Sequence, residues 1–473
     1  MKLFELIKKI DCKVVGDADV EIMGLFHNDK DVCSGGLFFC IDGIKNSGSF
    51  YAESAVDHGA VAIVCSKCVS GLSVTQIIVS DVRKAMSLIA AEYYGNPAKR
   101  LKMIGVTGTN GKTTTSYIVA SLINQAGSPC AIIGTNGIIF GEHIIETGMT
   151  TPDPIELHSF LAKLVKAGIE YVCMEVSAHA TYLSKVEGIY FDAVIWTNLS
   201  EDHLDFFETM DKYFEAKKKV FSPEQCKLAI INVDDEYGER LFDSINTPKV
   251  TYSICKQADF MATEIRIEKT IQKFCFNNKI IESNFLGKFN ASNLMGAIAC
   301  FLSLGFCDMG LEKYTKKIPS VPGRFNVIEK FERLFVVDYA HTPDGLSNVL
   351  RLCHDVANGG RTICVFGCGG NRETQKRSKM GEIATKYADF SIITSDNPRF
   401  EKRENIARDI ENGVVNSYYK IILDRAEAIK FAFDFSSPGD LILVAGKGAE
   451  NYIDENGSKT YYNDFDEIEK IGK

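Results

Sequence analysis

The sequence has little that would mark a membrane-bound, exported or nucleic-acid-binding protein. No apolar run approaches the roughly 20 residues of a membrane-spanning helix, and charged residues interrupt the apolar ones at the N-terminus. Basic residues number 53 against 62 acidic ones, which gives a net charge of −9, and they form no basic run. We therefore expect a cytoplasmic protein whose partners are small molecules, with no nucleic acid and no membrane among them.

The sequence also has little that indicates disulfide or zinc chemistry. Its 15 cysteines occur without an export signal, so we expect them to be reduced and to serve as small apolar side chains. Cys65 and Cys68 form a single C-x-x-C pair, with no second pair and no histidine at ligand spacing. A structural metal or a redox centre is therefore not expected there.

What the chain does contain is a regular alternation of β-rich and helical segments. Its 473 residues, 45% of them hydrophobic, suffice for about three domains of ordinary size. Stretches rich in turn residues at 95–100 and 318–324 have the composition of linkers. The pattern predicts an α/β protein with a small α/β domain over residues 1–98, a central P-loop NTPase-like parallel-sheet domain over 99–320, and a Rossmann-like domain over 321–473.

A glycine-rich loop is the most informative motif. Residues 105–114 read Gly-Val-Thr-Gly-Thr-Asn-Gly-Lys-Thr-Thr and lie between an apolar run and a helical segment. Gly108 and Gly111 allow backbone N–H groups to converge on a phosphate, while Lys112 supplies a charge and Thr113 a hydroxyl for magnesium. Val106 stands where the usual P-loop has its first glycine, yet the motif favours nucleotide binding over a merely flexible loop.

Polar clusters follow three of the predicted central strands. They contain Glu175, His203 and Asp234. Because the carboxyl ends of parallel strands meet at one edge of a sheet, these side chains are expected to lie close together. Each alone could be an ordinary strand-end or turn residue, but three such clusters favour a site for metal and phosphate.

One lysine lies on an apolar helical face. At about 100° per residue, the predicted helix over residues 209–221 places Lys217 on the same face as its apolar side chains. The lysine either extends its ammonium to solvent or is held in a partly dry site, where its charge is disfavoured and its amine becomes nucleophilic. Periodicity alone favours the first of these.

The predicted third domain has polar strand-end loops as well. Arg372, Arg399 and Glu450 belong to three different loops that can face one crevice. Two arginines and a glutamate suit a ligand that carries carboxylates and an ammonium group. Ordinary loop polarity explains the same pattern equally well.

Taken together, these motifs resemble the Mur ligase family, the ATP-dependent ligases that add amino acids to the cell-wall precursor. The resemblance covers nearly the whole chain in family order, through Gly-Thr-Asn-Gly-Lys-Thr-Thr (108–114), Thr-Thr-Pro-Asp (150–153), Met-Glu-Val-Ser (174–177), Thr-Asn-Leu-Ser-Glu-Asp-His-Leu-Asp (197–205), Val-Pro-Gly-Arg (321–324), Val-Asp-Tyr-Ala-His-Thr-Pro-Asp (337–344) and Ser-Asp-Asn-Pro-Arg (395–399). It implies that ATP activates UDP-N-acetylmuramoyl-L-alanyl-D-glutamate as an acyl phosphate, which meso-diaminopimelate attacks. The implied cofactors are ATP, Mg²⁺ and carbon dioxide bound as a lysine carbamate.

The resemblance also implies a role for each matching residue. The implied ATP-binding residues are Gly108, Thr109, Asn110, Gly111, Lys112, Thr113, Thr114, Asn293, Arg324 and Asp338. The implied metal ligands are Thr113, Glu175, His203 and Lys217, the last as N6-carboxylysine, and Lys112, Glu175, His203 and Lys217 are implied to be catalytic. Contacts to the UDP-sugar peptide are implied for Asp29, Thr150, Thr151, Ser177 and Lys185. The incoming amino acid is assigned to Arg372, Asp396, Asn397, Pro398, Arg399, Gly446 and Glu450, of which Asp396 to Arg399 look like the signature of ligases that choose meso-diaminopimelate over lysine.

The chain departs from the family pattern at a few positions, and alternatives stay open. Residues 28–30 read Asn-Asp-Lys where the family usually has Asp-Ser-Arg, and Ala449 stands where a histidine is usual. The alternatives are a ligase that adds lysine, a ligase for another carboxylate such as a folylpolyglutamate synthase-like enzyme, and a nucleotide-dependent binding protein without ligase activity. In each case we expect a monomer.

Overall fold

A computed structural model describes residues 1–43, 46–268 and 270–472 of the chain. The helices and strands form three units in chain order, each built on its own main sheet. This confirms the predicted α/β fold class with three domains. No helix within the described residues is long and apolar enough to cross a membrane.

The first unit is a five-stranded sheet with short helices. Its elements are α1 (Leu3–Ile7), β1 (Lys13–Val15), β2 (Gly24–Phe26), β3 (Gly36–Phe39), α2 (Ala52–Asp57), β4 (Ala60–Cys65), β5 (Thr75–Ile78) and α3 (Val82–Tyr93). The strand order is β1-β5-β4-β3-β2, and only β1 is antiparallel to its neighbour. Helix α3 begins where Asp81 accepts a hydrogen bond of 3.0 Å from the N–H of Lys84, which satisfies one of the free donors of its first turn.

The second unit holds the largest sheet. Its elements are β6 (Lys102–Thr107), α4 (Lys112–Gln125), β7 (Cys130–Gly134), β8 (Gly137–Phe140), β9 (His143–Ile145), α5 (Pro154–Lys166), β10 (Tyr171–Glu175), α6 (Ala178–Tyr182), β11 (Ala193–Trp196), α7 (Leu204–Phe207), α8 (Met210–Lys218), β12 (Ala229–Asn232), α9 (Glu236–Ser244), β13 (Lys249–Ser253), β14 (Phe260–Met261), β15 (Thr263–Glu268), β16 (Ile271–Phe276), β17 (Lys279–Ser283), α10 (Lys288–Ser303) and α11 (Leu311–Lys316). The order of the main sheet is β14-β13-β12-β11-β6-β10-β7-β8-β9, and β15 to β17 form a small antiparallel sheet.

Strand β6 lies in the middle of the main sheet, parallel to β10 on one side and to β11 on the other. Met103 and Ile104 point into two different layers of apolar side chains, one on each face of the sheet. The strand is therefore apolar from Met103 to Val106, which is why it could be predicted as an apolar run. Its carboxyl end lies where the strand order reverses, the usual position of a ligand site in parallel sheets.

The third unit is a six-stranded sheet with helices on both faces. Its elements are β18 (Asn326–Lys330), β19 (Arg333–Asp338), α12 (Pro343–Ala357), β20 (Thr362–Phe366), α13 (Gln375–Tyr387), β21 (Phe390–Ile393), α14 (Arg403–Glu411), β22 (Tyr419–Ile421), α15 (Arg425–Phe435), β23 (Leu441–Ala445), β24 (Tyr452–Glu455), β25 (Ser458–Tyr461) and α16 (Asp464–Lys470). The order is β18-β19-β23-β20-β21-β22, so β23 lies between β19 and β20. Strand β18 and the hairpin β24–β25 were not predicted from the sequence.

A buried ion pair fixes the end of β23. Arg425 of α15 donates to both carboxylate oxygens of Asp464 in α16, at 2.8 Å each, and to the carbonyl oxygen of Ala445 at 2.9 Å. Both charged side chains are fully buried. The loop that follows β23 therefore starts from a rigid point.

Candidate active site

Loops at the carboxyl ends of the second and third sheets line one cleft of about 770 Å³. The cleft brings together most of the residues singled out in the sequence: Thr109, Asn110, Gly111, Lys112, Thr113, Thr114, Thr150, Glu175, Ser177, His203, Asn293, Arg324, Asp338, Arg372, Asp396, Asn397, Arg399, Gly446 and Glu450. Gly108, Thr151, Lys185, Lys217 and Pro398 are not part of this lining, and neither is Asp29 of the first unit.

The glycine-rich loop between β6 and α4 has the backbone of a phosphate cradle. Gly108 has φ = +146°, and a methyl group on it would lie 1.9 Å from the hydroxyl oxygen of Thr197. Gly111, with φ = +84°, precedes the first residue of α4. The two N–H groups after Gly108 donate to the backbone and side-chain oxygens of Asn198, at 2.8 and 2.9 Å. The loop is thus anchored to the end of β11, and both glycines are required by its shape.

Lys112 lies at the start of α4 with its ammonium turned into the loop. Its Nζ donates to the carbonyl oxygens of Gly108 and Thr109, at 3.0 and 2.8 Å. Burial lowers the pKa of Lys112, and the nearby carboxylates of Glu175 and Asp202 offset part of that effect. The helix N-terminus and this cation together make the loop attractive to phosphate oxygens.

Glu175 ends strand β10 and is 1% exposed. Its carboxylate accepts hydrogen bonds from the N–H of Thr135 at 2.9 Å and from the hydroxyl of the same residue at 3.2 Å. A methyl group on Gly134 would lie 2.2 Å from Glu175 Oε1, so the neighbouring strand end has no room for a side chain. The carboxylate is therefore held in one orientation at the wall of the cleft.

His203 immediately precedes α7 and faces the same cleft. Burial lowers its pKa to about 3, although Asp202 opposes the shift, so the imidazole is neutral near pH 7. The contact of 3.4 Å between His203 Nε2 and Asp202 is thus not an ion pair. Burial alone would raise the pKa of Asp202, but the neighbouring groups His203, His341, Lys376 and Lys112, in that order, outweigh it and hold that pKa low.

The structure contradicts the solvent-directed side chain that periodicity alone favours for Lys217. The residue lies in α8, is 1% exposed, and its Nζ donates to the carbonyl oxygen of Gly108 at 2.7 Å. The Nζ also lies 4.8 Å from the centre of the Tyr213 ring. Because this face of α8 packs under the glycine-rich loop, the side chain ends inside the protein. Burial, reinforced by the charge of Lys112, lowers the pKa of Lys217 well below its usual value, which favours the neutral amine.

The third unit contributes to the same phosphate region. Arg324 Nη2 donates to the hydroxyl of Thr113 at 2.9 Å, and its guanidinium lies 4.5 Å from the centre of the Tyr339 ring. Asp338 ends β19 and accepts two backbone N–H groups at 2.7 and 2.8 Å. Asn293 projects from α10 of the second unit and lines the cleft nearby. These residues come from separate elements and are held by the contact between the two units.

The residues that the resemblance assigns to the UDP-sugar peptide lie in two places. Thr150 and Ser177 line the cleft, with Thr151 behind them, its hydroxyl 3.4 Å from that of Ser177. Lys185 is paired at 2.8 Å with the aspartate that precedes α5. Asp29 lies in the first unit, where its carboxylate accepts a hydrogen bond of 2.6 Å from a serine of α2.

The opposite wall of the cleft carries the two arginines. Arg372 follows β20 and Arg399 follows β21, and a methyl group on Gly369 would lie 2.8 Å from Arg399 Nη1 and 3.8 Å from Arg372 Cγ. Asn397 Nδ2 donates to Glu450 at 2.8 Å, and a fully buried lysine of the loop after β23 donates to both residues at 3.1 Å. The two cations and the glutamate therefore share one wall.

Contacts between side chains join the second and third units across the cleft. Asn110 of the glycine-rich loop donates to Asp344 at 3.0 Å, and Lys379 of α13 donates to both oxygens of Glu201 at 2.7 Å. The glycine-rich loop and the wall with the two arginines are thus held on the two sides of one space.

The cleft also contains Asp202, His341 and Lys376, which the sequence did not single out. Asp202 and His341 lie within the motifs quoted above, but the sequence indicated no role for either of them. Lys376 lies in the first turn of α13, which begins at Gln375, and falls outside the quoted motifs. Its place four residues after Arg372 in the chain was the available signal.

Comparison with known proteins finds similarity along the whole chain. Residues 106–301 match the Mur ligase middle domain, residues 323–448 the Mur ligase glutamate ligase domain, and residues 21–94 the Mur ligase family catalytic domain.

Individual relatives align over nearly their full length. The chain is 41% identical to UDP-N-acetylmuramoyl-L-alanyl-D-glutamate--2,6-diaminopimelate ligase 1 of Clostridium acetobutylicum, with 100% of the chain and 99% of the relative aligned. It is 40% identical to UDP-N-acetylmuramoyl-L-alanyl-D-glutamate--2,6-diaminopimelate ligase of Syntrophomonas wolfei, over 96% of the chain and 95% of the relative. A solved structure of such a 2,6-diaminopimelate ligase is 31% identical with a TM-score of 0.70, covering 99% of this chain and 98% of that one. The similarity therefore includes all three units and, with them, the cleft between the second and the third.

Proposed function

The chain belongs to the Mur ligase family, and we propose that it joins meso-diaminopimelate to UDP-N-acetylmuramoyl-L-alanyl-D-glutamate in peptidoglycan precursor synthesis. ATP phosphorylates the terminal carboxylate of the nucleotide-linked dipeptide and leaves as ADP. The amine of the amino acid then attacks the acyl phosphate, which forms the amide and releases phosphate. The observation that carries the proposal is the single cleft onto which both the glycine-rich loop and the two arginines open.

The three units divide the substrates among them. Residues 1–98 bind the UDP-sugar, residues 99–320 bind ATP and residues 321–473 bind the amino acid. The location of the glycine-rich loop in the second unit and of both arginines in the third supports this division. We place the reaction in the cytoplasm, where ATP is available, and expect a monomer.

The phosphates of ATP lie on the glycine-rich loop, residues 108–114. The N–H groups of residues 111–114 at the N-terminus of α4 and the ammonium of Lys112 provide the donors and the positive charge, whereas the N–H groups of Thr109 and Asn110 anchor the loop to Asn198. Asn293, Arg324 and Asp338 take the rest of the nucleotide, and the bond of Arg324 to Thr113 supports its place near the phosphates.

The residues beside the loop suit a magnesium ion. The Thr113 hydroxyl and the Glu175 carboxylate are hard oxygen donors, and the Thr135 hydrogen bonds already orient the carboxylate. The neutral ring of His203 keeps a lone pair for coordination. Magnesium held there would offset the repulsion between the substrate carboxylate and the γ-phosphate.

Lys217 is suited to carry a carbamate. Carbon dioxide reacts with a neutral amine, and burial favours that form of this side chain. The amine nitrogen would bond to the carbon of carbon dioxide and lose one proton, which leaves an anion close to the cation of Lys112 in place of the neutral amine. The carbamate oxygens would add a hard ligand to the metal site.

The amino-acid wall distinguishes diaminopimelate from lysine by one carboxylate. The guanidinium of Arg399 binds that carboxylate through two parallel hydrogen bonds, and Arg372, Asp396, Asn397, Gly446 and Glu450 complete the pocket, with Pro398 next to Arg399 in the chain. Lysine offers no carboxylate to the partly buried Arg399, so it lacks these two hydrogen bonds and binds less well. Thr150, Thr151, Ser177, Lys185 and Asp29 take the UDP-sugar peptide.

Phosphate release from ATP in the presence of the UDP-muramoyl dipeptide tests the proposal. We expect meso-diaminopimelate to stimulate release at least about 100-fold more than lysine, since two unmade hydrogen bonds to a charged group cost about 3 kcal/mol or more. Equal stimulation by lysine would overturn the assigned amino acid. Slow ATP hydrolysis that no amino acid changes would overturn ligase activity itself.

A further inference from the structure

Arg377 is a buried guanidinium to which the reaction assigns no part. It lies in the first turn of α13 with its side chain 1% exposed. It donates to both carboxylate oxygens of Glu401, at 2.9 and 3.0 Å, and to Asp409 at 2.8 Å. Its Nη2 also donates to the carbonyl oxygen of Gly369 at 3.3 Å. A guanidinium with this set of partners is held in one orientation.

Two of these partners belong to the loops that carry the proposed amino-acid residues. Gly369 lies three residues before Arg372 in the loop after β20, and Glu401 lies two residues after Arg399 in the loop after β21. Glu401 also accepts a hydrogen bond from the N–H of Asn371. Arg377 and Glu401 therefore tie one loop to the other.

The two loops touch where the side chain of Arg399 passes between them. Arg399 Nη1 donates to the carbonyl oxygen of Gly370 at 2.8 Å, and a methyl group on Gly370 would lie 1.9 Å from the carbonyl oxygen of Pro398. At Gly369 a methyl group would be in contact with both arginine side chains of the wall. Any shift of Gly369 and Gly370 thus displaces Arg372 and Arg399 together.

We propose that Arg377 is a positioning residue for amino-acid recognition. With Glu401 it fixes the spacing of the two loops, so that Arg372 and Arg399 present their donors to the carboxylates of the incoming amino acid. The inference rests on the proposed function and deepens it, because selectivity for diaminopimelate then depends on a side chain that does not touch the substrate.

Steady-state kinetics of Arg377→Gln and Arg377→Lys in the full-length enzyme test this role. For Arg377→Gln we expect KM for meso-diaminopimelate to rise about 10- to 100-fold, the scale of a misplacement of about 1 Å. The KM values for ATP and for the UDP-muramoyl dipeptide stay unchanged, since the glycine-rich loop lies on the other wall. Arg377→Lys keeps the charge and one donor, so it restores part of the loss. The preference for diaminopimelate over lysine narrows in both variants.

Asp409→Asn is the matched control, because Asp409 contacts Arg377 from α14 and neither loop. It should keep the wild-type KM for the amino acid. A wild-type KM in Arg377→Gln overturns the inference, and so does an equal rise for all three substrates, which would indicate a general loss of structure. If Arg377→Gln does not fold, Glu401→Gln carries the test with the same expected rise.

The failure of this inference is distinguishable from failure of the proposed function. If the wild-type enzyme responds to another amino acid, the assigned substrate is wrong. The KM of the Arg377 variants for that amino acid then tests the positioning role. If the wild-type enzyme uses diaminopimelate and the variants do so with unchanged KM, only the positioning role is refuted.

Discussion

Replacing Lys217 by methionine removes the amine and leaves an unbranched side chain that is one heavy atom shorter. The loss in stability is then mainly the hydrogen bond of 2.7 Å to Gly108, worth about 1 kcal/mol. Alanine at the same position also removes three buried methylene groups, a further cost of about 2.4 kcal/mol at ~0.8 kcal/mol each. Methionine therefore separates the chemistry of the amine from the packing of α8.

We expect Lys217→Met to lower kcat by about 10²- to 10³-fold. That range corresponds to about 2.7–4 kcal/mol, the effect of removing one preorganised group that stabilises transition-state charge. The KM for the amino acid stays unchanged, because the two arginines are on the other wall of the cleft. Lys218→Met is the matched control: Lys218 is partly exposed, pairs with Glu215 at 3.6 Å, and should keep full activity when replaced.

Phosphate release at saturating substrates measures kcat, with thermal unfolding measured on the same samples. Formate or acetate should restore part of the turnover of Lys217→Ala by occupying the space of the carbamate. Lys217→Met, whose side chain fills most of the volume that alanine opens, should respond less. Wild-type turnover in Lys217→Met would show that Lys217 has no catalytic role. If neutral formamide restored the turnover of Lys217→Ala as well as formate does, no anion would be needed at this position.

Three further predictions follow from other parts of the structure. Arg399→Lys should lower kcat/KM for meso-diaminopimelate by about 10²-fold or more, because it removes two charged hydrogen bonds worth about 1.5–3 kcal/mol each. The kcat/KM for lysine should change little. An unchanged ratio of the kcat/KM values for the two amino acids contradicts the assignment. Asp464→Asn should cost about 3–5 kcal/mol in urea unfolding because it leaves the buried charge of Arg425 unpaired, and a loss below about 1 kcal/mol contradicts this. In carbonate-free buffer, the unfolded chain binds more protons than the folded one at pH values between the lowered pKa of Lys217 and its unfolded value of about 10.4. The unfolding free energy of the wild type relative to that of Lys217→Met should therefore rise with pH across that window. A difference in unfolding free energy that does not change with pH contradicts this prediction.

The glycine-rich loop could be predicted because all of its determinants are local. An apolar strand, Gly108, Gly111 and a lysine at a helix start define the cradle within about ten residues of sequence. The convergence of Arg372 and Arg399 could be anticipated as well, since both follow parallel strands of one sheet. What could be predicted was therefore the edge of each sheet at which the site lies.

Other features depend on contacts that the sequence does not express. Lys217 is buried because the glycine-rich loop covers α8, so the solvent-directed side chain that periodicity alone favoured was wrong. Strand β18 was missed because the turn that joins it to β19 uses Phe331 and Glu332, both with positive φ, in place of glycine or asparagine. The hairpin β24–β25 is short, and its Asn456 N–H donates to the carbonyl oxygen of Arg399, a pairing between distant segments.

Strand β23 follows every other strand of the third sheet in the chain, yet it lies in the middle of that sheet. While the protein is being synthesised, β19 and β20 leave the ribosome with their facing edges unpaired, and such edges promote aggregation. The third sheet can close only after Ala445 has been made, by which time the second unit has already emerged. The third unit, to which we assign the amino acid, is therefore completed last, from the centre of its sheet, and a chain cut short before Leu441 would keep the glycine-rich loop and lack the strand that joins β19 to β20.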